Sequence, residues 1–326
     1  MTMKRALVLL ALAACKSSSS SDDVPAPDAG VDSASALPQT CPRGAKNTTA
    51  TTSCNGADAL CSRTYDKVTV PFAHNAMSNR DDGWAIPNQD HGIGKQLTDG
   101  VRGLMLDLHY YDPSTNLTDN GRLDGASAQD QVYLCHTACF LGKLRLLDGL
   151  CTITNFLDQN PGEIVSIIFE TYVADADTAA VLEAAGLAEY AYVHTDASAP
   201  WPTLAELVAS GKRLVVFVEK GGGAPPYLMP AYTGNIWDTP YDFQTQANFT
   251  CALGRGVANS PIFLINHWLS NPTSDISYAR EVNVEAVLGK RVDDCTTSAG
   301  RAPTFISVDF YDVGDLFTVV KKTNGL

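Results

Sequence analysis

KVTVPFAHNAM, residues Lys67 to Met77, decides how the rest of the chain is read. Val68, Val70 and Phe72 alternate with Thr69 and Pro71, the two-residue period of a strand. The run ends on His74 and Asn75, so a strand end carries two polar groups to the edge of a sheet. A single histidine so placed is more often a half-buried core residue than a reactive one. The pattern recurs, however, in RGLMLD (Arg102–Asp107), QVYLCH (Gln131–His136), EIVSIIFE (Glu163–Glu170), RLVVFVE (Arg213–Glu219), PIFLINH (Pro261–His267) and PTFISVD (Pro303–Asp309). All seven apolar runs end on an ionisable group. Near-continuous apolar strands mark a parallel sheet covered on both faces. Closed into a barrel, parallel strands present their carboxyl ends on the one face that carries the active site. The expected fold is therefore α/β, a single-domain (β/α) barrel.

Between the runs, Gly142–Gln159 spaces Leu144, Leu147, Leu150, Ile153 and Leu157 as a helix does and stops before Pro161. Asp177–Leu187, Leu204–Ser210, Ser277–Leu288 and Val313–Lys322 are further amphipathic helices, and Tyr190–His194 reads as a short extra strand. Strand and helix thus alternate, as in a parallel sheet. Gly221–Ala247, rich in Gly, Pro and aromatics, follows a strand end and is expected to form a rim or lid over the site.

Residues 1–15, MTMKRALVLLALAAC, carry Lys4 and Arg5 ahead of an apolar stretch too short to span a bilayer. Leu12-Ala13-Ala14-Cys15 resembles a bacterial lipobox, whose cysteine is lipidated after cleavage; an ordinary secretory signal is the alternative. Residues 16–40 begin with a serine run, have no apolar periodicity and read as a flexible tether, leaving 41–326 as the folded domain. The expected location is the bacterial cell envelope, at the outer membrane or cell surface through the lipid anchor, or outside the cell. Nine cysteines are present, and apart from Cys15 their even number in an exported chain predicts disulfides. Cys54–Cys61 is the expected local pair and Cys251–Cys295 the long-range clamp. Cys135, Cys139 and Cys151 are expected to be structural, since CxxxC with a lone third cysteine is a poor zinc pattern. The net charge of −13 excludes nucleic acid as a partner and argues against adsorption to anionic lipid. A monomer is expected.

Two histidines among several carboxylates suit proton transfer combined with a hard cation held by oxygen. Together they fit cleavage of a phosphodiester. HNAMS at His74, GVRGLMLDLHYYD (Gly100–Asp112), LCHT (Leu134–Thr137) and NPGEIVSIIFE (Asn160–Glu170) resemble the phosphatidylinositol-specific phospholipase C X-domain superfamily. SGKRLVVF, FLINHWL and FISVDFYDVGDL resemble its exported bacterial and fungal branch. The resemblance implies a TIM-like barrel and a phospholipid or other phosphodiester as substrate. It implies His74 as general base, His136 as general acid and Asp309 as the carboxylate that orients the base. The inositol 2-hydroxyl would attack phosphorus, forming a cyclic phosphate and releasing diacylglycerol. Asn75, Asp107 and Glu170 match ligands of Ca²⁺ in the metal-dependent branch; the metal-free branch carries arginine at the Asp107 position. The eukaryotic calcium enzymes also have a carboxylate where this chain has Met105. Glu219, Lys220 and Tyr311 are expected substrate contacts.

Several alternatives stay open at this stage. Asp107 and Arg102 form a structural ion pair in one reading, and Glu219 pairs with Lys220 or Lys212 in another. His267 is expected to pack beside Trp268, and His91 and His194 to lie in surface loops. The direction of His109 is not set. Competing functions are a glycerophosphodiester- or sphingomyelin-type phosphodiesterase and a catalytically weak, lipid-anchored surface binding protein. The order HN…D…H…E…D favours the X-domain reading, and only Met105 favours the binding protein.

Overall fold

Alternation within each apolar run sorts its side chains to the two sides of one curled sheet. The structure is a computed structural model that describes residues 37–326 except 116, 120 and 197; the expected signal and most of the expected tether lie outside the described residues. The strands are β1 (Val70–Ala73), β2 (Gly103–Asp112), β3 (Leu117–Asp119), β4 (Val132–Leu134), β5 (Leu144–Arg145), β6 (Val165–Thr171), β7 (Leu214–Val218), β8 (Leu228–Pro230), β9 (Ile236–Asp238), β10 (Ile262–His267) and β11 (Phe305–Val308). Eight of them pair in parallel in the order β8-β7-β6-β2-β1-β11-β10-β9. β8 and β9 are the two edges and share no ladder among the described residues.

Phe72, Met105, Ile168, Phe217, Met229, Ile236, Leu264 and Phe305 belong to one apolar cluster, to which every parallel strand contributes. The sheet is therefore curled into a TIM-like barrel with a filled interior. Their sequence neighbours Leu106, Ile167, Val216, Leu228, Trp237, Ile265 and Ile306 belong to a second cluster between sheet and helices. The two-residue period decides which side a residue joins. A Cβ at Gly103 would lie 1.9 Å from the Phe72 ring, so only glycine lets β2 pass that close to the filled interior. Phe72, Phe217 and Phe305 are fully buried there, each burial worth roughly 1.5–3 kcal/mol. With the interior packed, a ligand site is left only at an end of the barrel.

The helices are α1 (Ile93–Asp99), α2 (Ala128–Gln131), α3 (Leu146–Gln159), α4 (Asp175–Ala184), α5 (Leu204–Ser210), α6 (Ile276–Val282), α7 (Glu285–Ala299) and α8 (Leu316–Thr323). α5 occupies the expected span because Thr203 and Glu206 close a capping box at its start. α3 begins at Leu146 rather than Gly142, since Leu144 and Arg145 pair with β4. The expected helix Ser277–Leu288 is broken at Asn283, which leaves the helix to donate its amide to the Asp309 carbonyl at 2.9 Å. Tyr190–His194 is not a strand; Ala191 forms an isolated bridge with Leu214.

Two expectations about strands are corrected. Gln131–His136 is not a barrel strand: β4 runs antiparallel to β2 and β5, in an excursion where β2 continues beyond the barrel and also pairs with β3. Gly221–Ala247 is not only a rim, because it contains the two edge strands β8 and β9. Disulfides join Cys54 to Cys61 and Cys251 to Cys295 as expected, and also Cys135 to Cys139 and Cys41 to Cys151. Pro38 and Gln39, assigned to the tether, bond to Arg145 and Asp130 at 2.9 and 2.8 Å. No helix among the described residues is long and apolar enough to cross a membrane.

Candidate active site

The parity that fills the barrel also supplies its mouth. Continuing the inward-facing positions past the core gives His74 after β1, Asp107 in β2, Glu170 in β6, Glu219 after β7, Asp238 in β9 and Asp309 after β11. A cavity of about 170 Å³ at this end is lined by His74, Asn75, Asp107, Glu170, Glu219 and Arg255, over a floor that includes Met105 and Ile168. A second cavity of about 250 Å³ is lined by His74, Asn88, His136 and Thr137 among others. His74 belongs to both.

The His74 Nδ1 lies 2.7 Å from Asp309 Oδ1, and Asn88 Nδ2 donates to that same oxygen at 3.1 Å. Asp309 Oδ2 is buried without a partner among the described residues. The His74 ring stacks on Trp268 at 3.7 Å and 9°. Gln89 donates to the carbonyls of His74 and Val308 at 2.7 and 3.1 Å, tying β1 to β11 at this level. With the Nδ1 proton given to the carboxylate, Nε2 is left as a base.

His136 arrives from the turn after β4, and its Nε2 lies 3.3 Å from Asn75 Nδ2. The amide donates there, which puts the ring proton on Nδ1. Burial first, and the nearby His74 second, lower the His136 pKa to about 4. Asn75, Thr137 and Phe310 have φ of 44°, 65° and 49°, and each immediately follows one of His74, His136 and Asp309.

Asp107 is 6% exposed, and its carboxylate accepts no hydrogen bond among the described residues. Burial, then Glu170 and Glu219, raise its pKa well above the usual carboxylate range. In the ladder Asp107 lies directly beside Glu170. Two carboxylates side by side, with the Asn75 side chain at the same cavity, are a hard-oxygen set short of positive charge, and so they fit a divalent cation. Among the described residues no three His, Cys, Asp or Glu side chains gather as a metal site; the expected set counts the amide of Asn75 as its third member. Met105 offers no hard ligand, and its sulfur accepts from Ser307 at 3.4 Å. Arg102 pairs with Glu163 at 2.6 Å and not with Asp107.

Glu219 pairs with neither Lys220 nor Lys212 but with Arg255, at 2.8 Å. Arg255 also grips Asp238 at 2.7 and 2.9 Å and lies between the rings of Tyr232 and Tyr241, 4.3 and 4.4 Å away. Lys220 is exposed, with its ammonium 4.5 Å from the Tyr172 ring centre. Tyr311 does not reach the site: it is 1% exposed, and its hydroxyl donates to Asp99 at 2.6 Å, on the helix side of the sheet. His267 faces outward by parity, donates to the Val282 carbonyl at 2.9 Å and accepts from Arg291 at 3.2 Å. Burial and Arg291 lower its pKa to about 3. His194 is half-buried and stacked on Trp201 at 4.1 Å, not a surface residue. His91 lies between Asp81 and Asp312, at 2.9 and 3.7 Å. His109 shares the inward parity of Asp107 and stacks on Tyr172 at 4.4 Å and 12°. Arg255, Asp238, Trp268, Asn88 and Gln89 are site residues that sequence reasoning missed. Asp238 alone had a signal, as the carboxylate that ends IWD in β9.

Residues 60–324 match the family model described as PI-PLC X 1. An uncharacterized secreted protein of Arthroderma benhamiae is 30% identical over 311 residues, covering 85% of this chain and 65% of that protein. The PI-PLC X domain-containing protein 1 of the same fungus is 28% identical, covering 84% of this chain and 90% of its own. A PI-PLC X domain-containing protein of Arabidopsis thaliana is 28% identical, covering 80% of this chain and 62% of its own. The chain thus spans just under two thirds of two of these relatives. Among solved structures, the phosphatidylinositol-specific phospholipase C of Listeria monocytogenes aligns with a TM-score of 0.50 at 17% identity, covering 82% of this chain and 97% of its own. That of Staphylococcus aureus aligns at 0.53 and 16%, covering 82% and 95%. Likeness at this identity shows the barrel.

Proposed function

The chain belongs to the PI-PLC X family, and on that footing we propose that it is a phospholipase C-like phosphodiesterase acting through His74 and His136. Family and fold support phosphodiesterase-type chemistry. The observation that carries the finer reading is the His74–Asp309 contact at 2.7 Å with His136 lining the same cavity.

His74 Nε2 takes the proton of a hydroxyl vicinal to the phosphodiester. That oxygen attacks phosphorus, and the bond from phosphorus to the diacylglycerol oxygen breaks. His136 gives its proton to the departing oxygen, leaving a cyclic phosphate and diacylglycerol. The proton lost by His136 equals the one gained by His74, and exchange with water restores both. In the free site burial and His74 keep His136 neutral near pH 7. An anionic phosphodiester at the cavity the two rings share opposes that depression and favours the imidazolium. Asn75, Asp107 and Glu170 would hold Ca²⁺, which when bound offsets the phosphate charge.

The test is release of inositol phosphate from phosphatidylinositol vesicles by the purified protein, with Ca²⁺ and with chelator. His74→Ala and His136→Ala should each lower kcat by about 10²–10⁴-fold. A substrate with a low-pKa leaving group should rescue the His136 variant and not the His74 variant. Equal rescue of both, or near wild-type activity in either, overturns the roles.

A further inference from the structure

The register between β2 and β6 stacks two rows of side chains at the mouth of the barrel. In the lower row Asp107 lies beside Glu170. One pleat further along each strand come His109 and Tyr172, on the same inward side, because side chains two apart share a face. The ladder extends to this level, since the Tyr172 N–H donates to the Leu108 carbonyl at 3.0 Å.

Tyr172 stands at the mouth with its side chain engaged on three sides. Its side chain sits on a residue that is 47% exposed, yet three contacts hold it. The His109 ring stacks on it at 4.4 Å and 12°, and the Lys220 ammonium lies 4.5 Å from its centre. Its hydroxyl donates to Glu170 Oε1. A carboxylate with a hydrogen bond to one oxygen is fixed in orientation and keeps the other oxygen for a ligand.

Resting on the reading of Asn75, Asp107 and Glu170 as cation ligands, we infer that Tyr172 is the positioning residue of that site. It is braced by His109 and Lys220, and it holds the Glu170 carboxylate through its hydroxyl. It touches neither the substrate's phosphorus nor the reacting oxygens, and its effect is on cation affinity.

Calorimetric titration of chelator-treated protein with Ca²⁺ measures this without substrate. Tyr172→Phe keeps the ring stack and removes only the hydroxyl. Its expected effect is a loss of Ca²⁺ affinity of about 10–100-fold, the range for outer partners of metal ligands. The thermal midpoint of the metal-free protein should be unchanged, which a merely structural role would not give. His109→Ala loosens the ring with the hydroxyl intact and should weaken Ca²⁺ by a smaller factor, about 2–10-fold. It also serves as the test if Tyr172→Phe fails to fold. Wild-type binding matched by both variants overturns the positioning role and leaves the cation site standing. Absence of Ca²⁺ binding in the wild type overturns both.

Discussion

Asp309→Asn tests the dyad most closely, because the neighbours of Asp309 determine which way the new amide lies. In the wild type Asp309 Oδ1 accepts from His74 Nδ1 at 2.7 Å and from Asn88 Nδ2 at 3.1 Å, while Oδ2 is buried without a partner among the described residues. An asparagine in this place has two orientations. With its oxygen in the Oδ1 position it still accepts from both neighbours. With its nitrogen there, the amide faces the donor of Asn88 and forces His74 to accept at Nδ1, which would put the ring proton on the reacting Nε2. Asn88 therefore selects the first orientation and preserves the tautomer. What is lost is charge: a charge-assisted hydrogen bond of about 1.5–3 kcal/mol becomes a neutral one of about 0.5–1.5. With reduced support for the imidazolium that forms in a buried site, the deficit is about 2–3 kcal/mol, or roughly 10²-fold in kcat. Removing Asn88 as well frees the amide to turn over. Asn88→Ala/Asp309→Asn should approach the ~10⁴-fold loss of a base held in the wrong tautomer. Steady-state cleavage of phosphatidylinositol by the two variants and by Asn88→Ala provides the comparison. If the double variant is no worse than the product of the singles, Asn88 does not select the orientation. If Asp309→Asn stays within about threefold of wild type, the dyad has no part in the reaction.

Two further expectations concern stability. Burial lowers His136 to about 4 and His267 to about 3, against about 6.5 in the unfolded chain. Below pH 6.5 the unfolded state binds the extra protons, so stability is full above that pH and falls from about 6.5 down to about 4 for His136 and about 3 for His267, by up to about 1.4 kcal/mol per pH unit for each histidine; urea midpoints between about pH 6.5 and 4 should show a shallower slope for His136→Asn, and an unchanged slope refutes it. Cys41–Cys151 spans 110 residues and Cys54–Cys61 spans 7, so the chain-entropy model gives losses of about 5 and about 2 kcal/mol for the paired serine variants; the reverse order of urea midpoints would be the contrary result.

Most of the barrel was legible because its strands are short apolar runs that end on polar groups. The parity within each run was equally legible, and it separates Asp107, Glu170, Glu219 and Asp309 from His267, which the strand-end rule alone had grouped together. His136 was found through a wrong strand. β4 is covered on both sides, by β2 and β5 within the sheet and by α3 and α4 over it, so its apolar run looks like a barrel strand. Apolar content does not distinguish parallel from antiparallel pairing. The edge strands β8 and β9 are three residues each, embedded in Gly- and Pro-rich sequence, and periodicity has too few residues there to register. Arg255 had no local signal at all. It reaches Asp238 and Glu219 from an irregular segment, and only the folded chain brings the three together.

The backbone gives an independent sign of where the chemistry lies. A non-glycine residue at positive φ costs of order 1–3 kcal/mol and persists only where its surroundings over-determine it. Five such residues are described, and three of them follow His74, His136 and Asp309. Asn75 tolerates the conformation best, and its amide is engaged with His136. Thr137 is β-branched and tolerates it worst. It is held because the Ala138 N–H closes a turn on the His136 carbonyl at 2.7 Å, inside the loop that Cys135–Cys139 ties off. Phe310 is held because its N–H donates to the Asn88 carbonyl at 2.7 Å and Asn283 donates to the Asp309 carbonyl at 2.9 Å. At each place the chain turns sharply just after delivering an inward side chain, so that the side chain stays at the mouth while the backbone leaves. Asn88 thus serves twice, with its side chain on the Asp309 carboxylate and its carbonyl on the strained turn behind it. Asn88→Ala removes only the first of these: the carbonyl still holds the turn, and Asp309, as a carboxylate, still keeps the ring proton of His74 on Nδ1, so the single variant should be mild and its effect should appear only together with Asp309→Asn.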